Sequence, residues 1–138
     1  RTRLLDCLDN KHRMLVDIIA PQHAEELIHT INGALAVVHP ALWLENLPNT
    51  VLEAMSAGKP VIASNLGTLQ ELVHDGVNGR LFEAGDEKAL AEIMQSMFSS
   101  AELVKKMGNS SRQFYESKYT EAAHMKKLMK IFSKYVSC

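Results

Sequence analysis

Two glutamates near the middle of the chain carry its most specific chemistry, Glu45 and Glu53, with seven residues between them. A carboxylate accepts hydrogen bonds from two neighbouring hydroxyls at once, which is how a ribose or hexose diol is held. The segment following Pro48 reads as a helix over residues 49–57, capped by Asn49, closed by Gly58 in the left-handed position and barred from continuing by Pro60. At such a helix start the free amides of Asn49, Thr50 and Val51, together with the macrodipole, favour a phosphate. Diol, phosphate and diol make the outline of a nucleotide sugar. A second reading stays open beside it. A glutamate early in a helix is stabilised by the dipole with no ligand present. Glu53 and Ser56 are also the only polar positions of 51–57, as expected of a solvent edge.

The remaining reactive side chains form no such set. His23 and His29 fall on different faces of a helix, and no Cys or Asp spacing completes a zinc site around them. His74 stands near a helix end, where an imidazole partners the C-terminal dipole. His39 is different, because it stands at the carboxyl edge of a strand and faces the inferred cleft. Trp43 can stack on a sugar face or pack within its own loop. Cys7 and Cys138 form neither a metal spacing nor a disulfide framework, as suits a reducing compartment.

The elements that must position the glutamates alternate between strand and helix. The run 14–19 is read as a strand stopped by Ala20-Pro21, and 23–31 as a helix stopped by Asn32-Gly33. Residues 34–38 form a continuous apolar run too short for a helix, expected to be a strand buried on both faces. A ten-residue loop, 39–48, then leads into the helix of Glu53. Residues 61–64 are the next buried strand, 68–75 a short helix ended by Gly76, and 80–82 a brief strand after the Asn78-Gly79 turn. Asp86 caps a helix over 87–98, where Leu90, Ile93, Met94 and Met97 make an i, i+3, i+4, i+7 stripe. Helices over 101–118 and 120–136 complete the chain, with Met125 and Met129 expected in the core alongside Met94 and Met97. On the last helix Met125, Leu128, Met129, Phe132 and Val136 share one side, and Lys126, Lys130 and Lys134 another.

Alternation with short loops implies an α/β fold, a Rossmann-like parallel sheet with helices on both faces. Such sheets bind ligands outside the carboxyl ends of their strands, where the loop 39–48 lies. Four short strands are fewer than a complete sheet of this class holds, so its upstream strands are expected to be missing. With Arg1-Thr2-Arg3 at its start, the chain is read as part of a longer protein.

Composition excludes several classes. The 138 residues are 46% hydrophobic and 22% charged, ordinary for one globular domain. The longest apolar stretch, 33–44, is broken by His39-Pro40 and is too short to span a bilayer. Fifteen Lys plus Arg against 16 Asp plus Glu provide no general attraction to nucleic acid. No G-x-G-x-x-G follows a strand, which disfavours a dinucleotide-dependent oxidoreductase.

The stretch from Glu45 to Glu53, with the following Ala54-Met55-Ser56-Ala57-Gly58-Lys59-Pro60-Val61-Ile62-Ala63-Ser64, resembles the donor-site signature of retaining glycosyltransferases of family 4. These have the two-domain GT-B fold. The similarity continues through Gly67-Thr68-Leu69-Gln70-Glu71 and Asp75-Gly76-Val77-Asn78-Gly79, and more weakly to Cys138. The resemblance implies the C-terminal, donor-binding half of such an enzyme: residues 1–119 a partial nucleotide-sugar-binding domain, 120–138 a helix directed towards the absent N-terminal domain. It implies that Glu53 binds the ribose hydroxyls and that Glu45 faces the donor sugar near the reacting centre. Leu47, Asn49, Thr50 and Val51 would hold the sugar and diphosphate through main-chain amides.

Further implications concern partners and activity. The resemblance implies no bound metal and no cofactor, the nucleoside-diphosphate sugar being a substrate. It also implies a glycan or lipid-linked acceptor held by the absent domain, a role in polysaccharide or glycoconjugate synthesis, and a cytoplasmic enzyme peripheral to the inner face of the membrane. Thr68 departs from the family pattern, where a second glycine is common, and the upstream basic pair that neutralises the diphosphate has no counterpart. The chain alone is therefore expected to be inactive and to self-associate through its sheet edge or last helix. Two alternatives stand beside the transferase: an epimerase-like GT-B nucleotide-sugar protein, and a degenerate domain used only for protein contacts.

Overall fold

A computed structural model describes residues 14–135. Its elements run α1 (Ala24–Gly33), β1 (Val37–His39), α2 (Asn49–Ser56), β2 (Val61–Ser64), α3 (Leu69–Leu72), β3 (Gly79–Phe82), α4 (Glu87–Phe98), α5 (Ala101–Lys118) and α6 (Glu121–Ser133). The strands form one parallel sheet in the order β1-β2-β3, with Val37 opposite Val61 and Val61 opposite Gly79.

β2 lies in the middle of this sheet, and all four of its residues are buried. Because side chains alternate along a strand, Val61 and Ala63 face one layer and Ile62 the other. The first layer packs Val61 and Ala63 against Val51, Ala54 and Met55 of α2, with Phe114 and Tyr115 of α5 at its margin. The second packs Ile62 and Phe82 against Ile93 and Met97 of α4 and Met107 of α5. Helices thus cover both faces, as the continuous apolar run of β2 requires. The long α5 serves both layers, its N-terminal half in one and its C-terminal half in the other.

Local chemistry sets the helix ends. Asp86, Ser100 and Thr120 each accept a hydrogen bond from the amide three residues on, opening α4, α5 and α6. α2 ends in a Schellman turn: Gly58, at φ +67°, donates to Met55 and Lys59 to Ala54. α5 crosses this turn so closely that a Cβ on Gly108 would overlap the carbonyl oxygen of Gly58. Glycine at 108 is what lets the two helices meet.

Several expectations are corrected. Residues 14–19 are not a strand: they form a turn at Met14-Leu15 and then irregular backbone, so the described sheet has three strands rather than four. A strand needs a partner edge, and apolar content alone does not supply one. The strand expected at 34–38 is Val37–His39 and only half-buried, since β1 has β2 on one side and no partner on the other among the described residues. The short helix after β2 is only Leu69–Leu72. Asn49 does not cap α2; the N-cap is Pro48, with no side-chain bond. Met97 is buried, but Met94 is 47% exposed, and Met125 and Met129 are exposed too. The stripe on α4 is narrower than its four apolar residues suggested, and no described residue of α6 is buried. Val136, Cys7 and Cys138 lie outside the described residues.

Candidate functional site

Parallel pairing puts the carboxyl ends of β1 and β2 on the same edge of the sheet, so the loops that leave them meet. The first runs from His39 to α2 and carries Glu45; the second runs from Ser64 to α3 and carries Gly67 and Thr68. Thr68 Oγ1 donates to the main-chain carbonyl of Glu45 at 2.8 Å. Beside this bond Gly67, at φ +53°, lies against Leu44, and a Cβ there would come within 2.8 Å of Leu44 Cδ2. Thr68 thus fastens the loop of Glu45.

The side chain of Glu45 is held from the opposite direction. His39, the last residue of β1, brings Nε2 to 3.0 Å from Glu45 Oε2, with the two side chains 19% and 26% exposed respectively. The imidazole donates whenever Nε2 carries a proton. Around this pair the loop is anchored by buried Ala41, whereas Trp43 is 67% exposed and Leu42, Leu44 and Leu47 are exposed with it. Packing of Trp43 within its own loop is therefore overturned, because the small Ala41 fills the interior position instead.

The start of α2 offers fewer amides than expected. Val51 N–H donates to the carbonyl of Pro48 at 3.1 Å, so the amide of Val51 is not free, and its side chain is fully buried. The cause is the shift of the cap to Pro48, which moves the first intrahelical bonds one residue earlier. Among the described residues nothing accepts from the amides of Asn49 and Thr50, and both residues are exposed. They are the two donors this helix presents outward.

Glu53, on the next turn, is half-buried, and among the described residues its carboxylate has no hydrogen-bond or ion-pair partner. It lines a cavity of about 600 Å³ with Leu27 and Ile28 of α1, Ser56 of α2, and Asn109 and Arg112 of α5. Arg112 is already engaged, by Glu116 at 2.6 Å and by the carbonyl of Ser56. The structure therefore gives the two glutamates separate surroundings, Glu45 tied to the sheet edge and Glu53 open to a cavity between helices.

Of the other histidines, His74 packs edge-on against Phe114, ring centroids 4.8 Å apart, and His23 is the N-cap of α1, with its amide bonded to Glu26. Among the described residues no three of His, Cys, Asp and Glu gather as a metal site, and no helix is long and apolar enough to cross a membrane. Sequence reasoning missed the roles of His39 and Thr68. The only signals were the place of His39 at a strand end and the unusual threonine.

A family profile described as "Glycosyl transferases group 1" matches residues 5–114. The putative glycosyltransferase EpsD of Bacillus subtilis is 33% identical over 92 residues, covering 67% of this chain and 24% of its own length. Spore coat protein SA of the same organism is 28% identical over 131 residues, covering 94% of this chain and 34% of its own length. The chain thus spans about a quarter to a third of these relatives' length. Among solved structures, sucrose-phosphate synthase of Thermosynechococcus elongatus superposes with a TM-score of 0.81 at 24% identity, over 91% of this chain and 32% of that one. HepE of Anabaena, in complex with UDP, superposes with a TM-score of 0.73 at 24% identity, over 76% of this chain and 29% of that one. The fold is that of the C-terminal part of a GT-B glycosyltransferase. By the extent of the profile match, the chain belongs to the group 1 glycosyl transferases.

Proposed function

We propose that this chain is the donor-binding part of a family 4 retaining glycosyltransferase that uses a nucleoside-diphosphate sugar. One observation carries the reading: the two unpaired amides that open α2, from Asn49 and Thr50, are flanked in the chain by the half-buried Glu45 and by Glu53, whose carboxylate has no partner among the described residues. In this reading Glu53 accepts hydrogen bonds from the ribose diol. The amides of Asn49 and Thr50, with the main chain at Leu47, meet the diphosphate, where the helix start favours negative charge. Val51 contributes by fixing the turn from beneath. Glu45 faces the sugar, where its charge stabilises positive charge developing at the anomeric carbon. The bond from that carbon to the diphosphate breaks with its electron pair leaving on the diphosphate oxygen, and a bond to an acceptor hydroxyl forms on the same face as its proton passes to that oxygen.

Amide donors and side chains acting without a metal suffice for this scheme. The acceptor, a glycan or lipid-linked sugar, would sit on the remainder of the intact protein, at the inner face of the membrane. HepE, whose structures were solved with UDP and with UDP-glucose, supports a uridine donor as the first to try. The test is a saturation-transfer screen of UDP-, GDP- and ADP-sugars on the intact protein, followed by proton NMR of the product. Binding of one donor and a product of retained anomeric configuration are expected. An inverted product overturns the retaining assignment, and binding of no donor overturns the whole reading.

A further inference from the structure

We propose that His39 is a positioning residue for Glu45, holding one carboxylate oxygen so that the other stays aimed at the donor sugar. The inference rests on the role given to Glu45 above. Glu45 belongs to an irregular loop, and a glutamate there samples many rotamers unless something fixes it. Two separate parts of the sheet edge do so. Thr68, in the loop after β2, holds the main-chain carbonyl of Glu45 at 2.8 Å, and His39, ending β1, holds Oε2 at 3.0 Å.

An imidazole at the end of a hydrogen-bonded strand is a short, stiff partner, so its bond restricts where Oε2 of Glu45 can lie. Oε1 has no partner among the described residues, and the side chain is 26% exposed. One oxygen is therefore occupied, and the other has no partner among the described residues. In this proposal Nε2 is committed to Glu45, and the imidazole acts through the glutamate.

The experiment measures turnover and nucleotide affinity of the intact protein for His39→Ala, His39→Gln, Glu45→Gln and the His39→Ala/Glu45→Gln pair. Release of UDP from UDP-glucose, or from the donor that replaces it in the screen above, serves as the acceptor-independent readout. His39→Ala is expected to lower kcat about tenfold, the loss of one charge-assisted bond, with UDP affinity changed less than about twofold. His39→Gln, whose amide can still donate, should recover to within about threefold of the parent. In the double variant His39→Ala should add less than about twofold to the loss from Glu45→Gln, because what His39 positions is the carboxylate charge that Glu45→Gln has already removed. Should the alanine variant fail to fold, His39→Asn, too short to reach Oε2, takes its place.

Independent, multiplying losses would overturn the inference by making His39 act on the substrate directly. So would an unchanged kcat in His39→Ala where Glu45→Gln is impaired. If Glu45→Gln itself turns over normally, the role of Glu45 fails and this inference falls with it.

Discussion

Replacing Glu53 by alanine separates a ligand-binding carboxylate from one that merely edges a helix. The carboxylate has no partner among the described residues, so its removal breaks no internal bond. Alanine is a better helix former by a few tenths of a kcal/mol, so the melting temperature should hardly move. The cost therefore falls on binding. Two charge-assisted bonds to a ribose diol are each worth about 1.5–3 kcal/mol, and water recovers part of that because Glu53 is only half-buried. A net loss of about 2–3 kcal/mol follows, a ~30- to 150-fold weaker Kd. Calorimetry of UDP with the intact protein measures it, and 2′-deoxy-UDP supplies the cross-check. Deleting the hydroxyl should weaken binding to the parent protein but add little to the loss already present in Glu53→Ala. Unchanged UDP affinity in Glu53→Ala, or full additivity with the deoxy nucleotide, would refute the ribose assignment and leave the helix-edge reading.

Three further outcomes are expected. Thr68→Val keeps the shape but removes the bond to the carbonyl of Glu45, so it should cost about 1 kcal/mol of stability by urea titration and lower kcat more than UDP affinity. Met55→Ala empties a fully buried position between α2 and the sheet, and urea titration should record a loss of about 2–5 kcal/mol. Gly108→Ala should lower the melting temperature even though alanine favours helix, because the added methyl overlaps the carbonyl of Gly58; a rise would mean that α2 and α5 separate without cost.

Features governed by neighbours in the chain are legible in the amino-acid sequence. The cap at Asp86, the stop at Gly58 and the bounds of α5 depend on bonds spanning three to five residues, so residue type and spacing determine them. The run Val61–Ser64 reads as a buried strand because four apolar or small residues between turn signals suit only the middle of a parallel sheet. The glutamate pair and the helix that follows Pro48 are likewise visible, although the cap lies at Pro48 and not at Asn49 as read.

What depends on a partner far along the chain is not legible there. Residues 14–19 have the apolar content of a strand but do not join the described sheet, and Met94, Met125 and Met129 have helical spacing yet stay exposed among the described residues. The setting of Glu45 belongs to the same class. Its bond to Thr68 spans 23 residues and forms because parallel pairing of β1 with β2 brings their outgoing loops together, while its bond to His39 spans six and depends on how that loop folds back on the end of β1. Residue types specify which carboxylates can do chemistry, whereas tertiary structure decides which oxygen of Glu45 is held and which is free, because hydrogen-bond direction is set by the placement of whole strands and not by local preference.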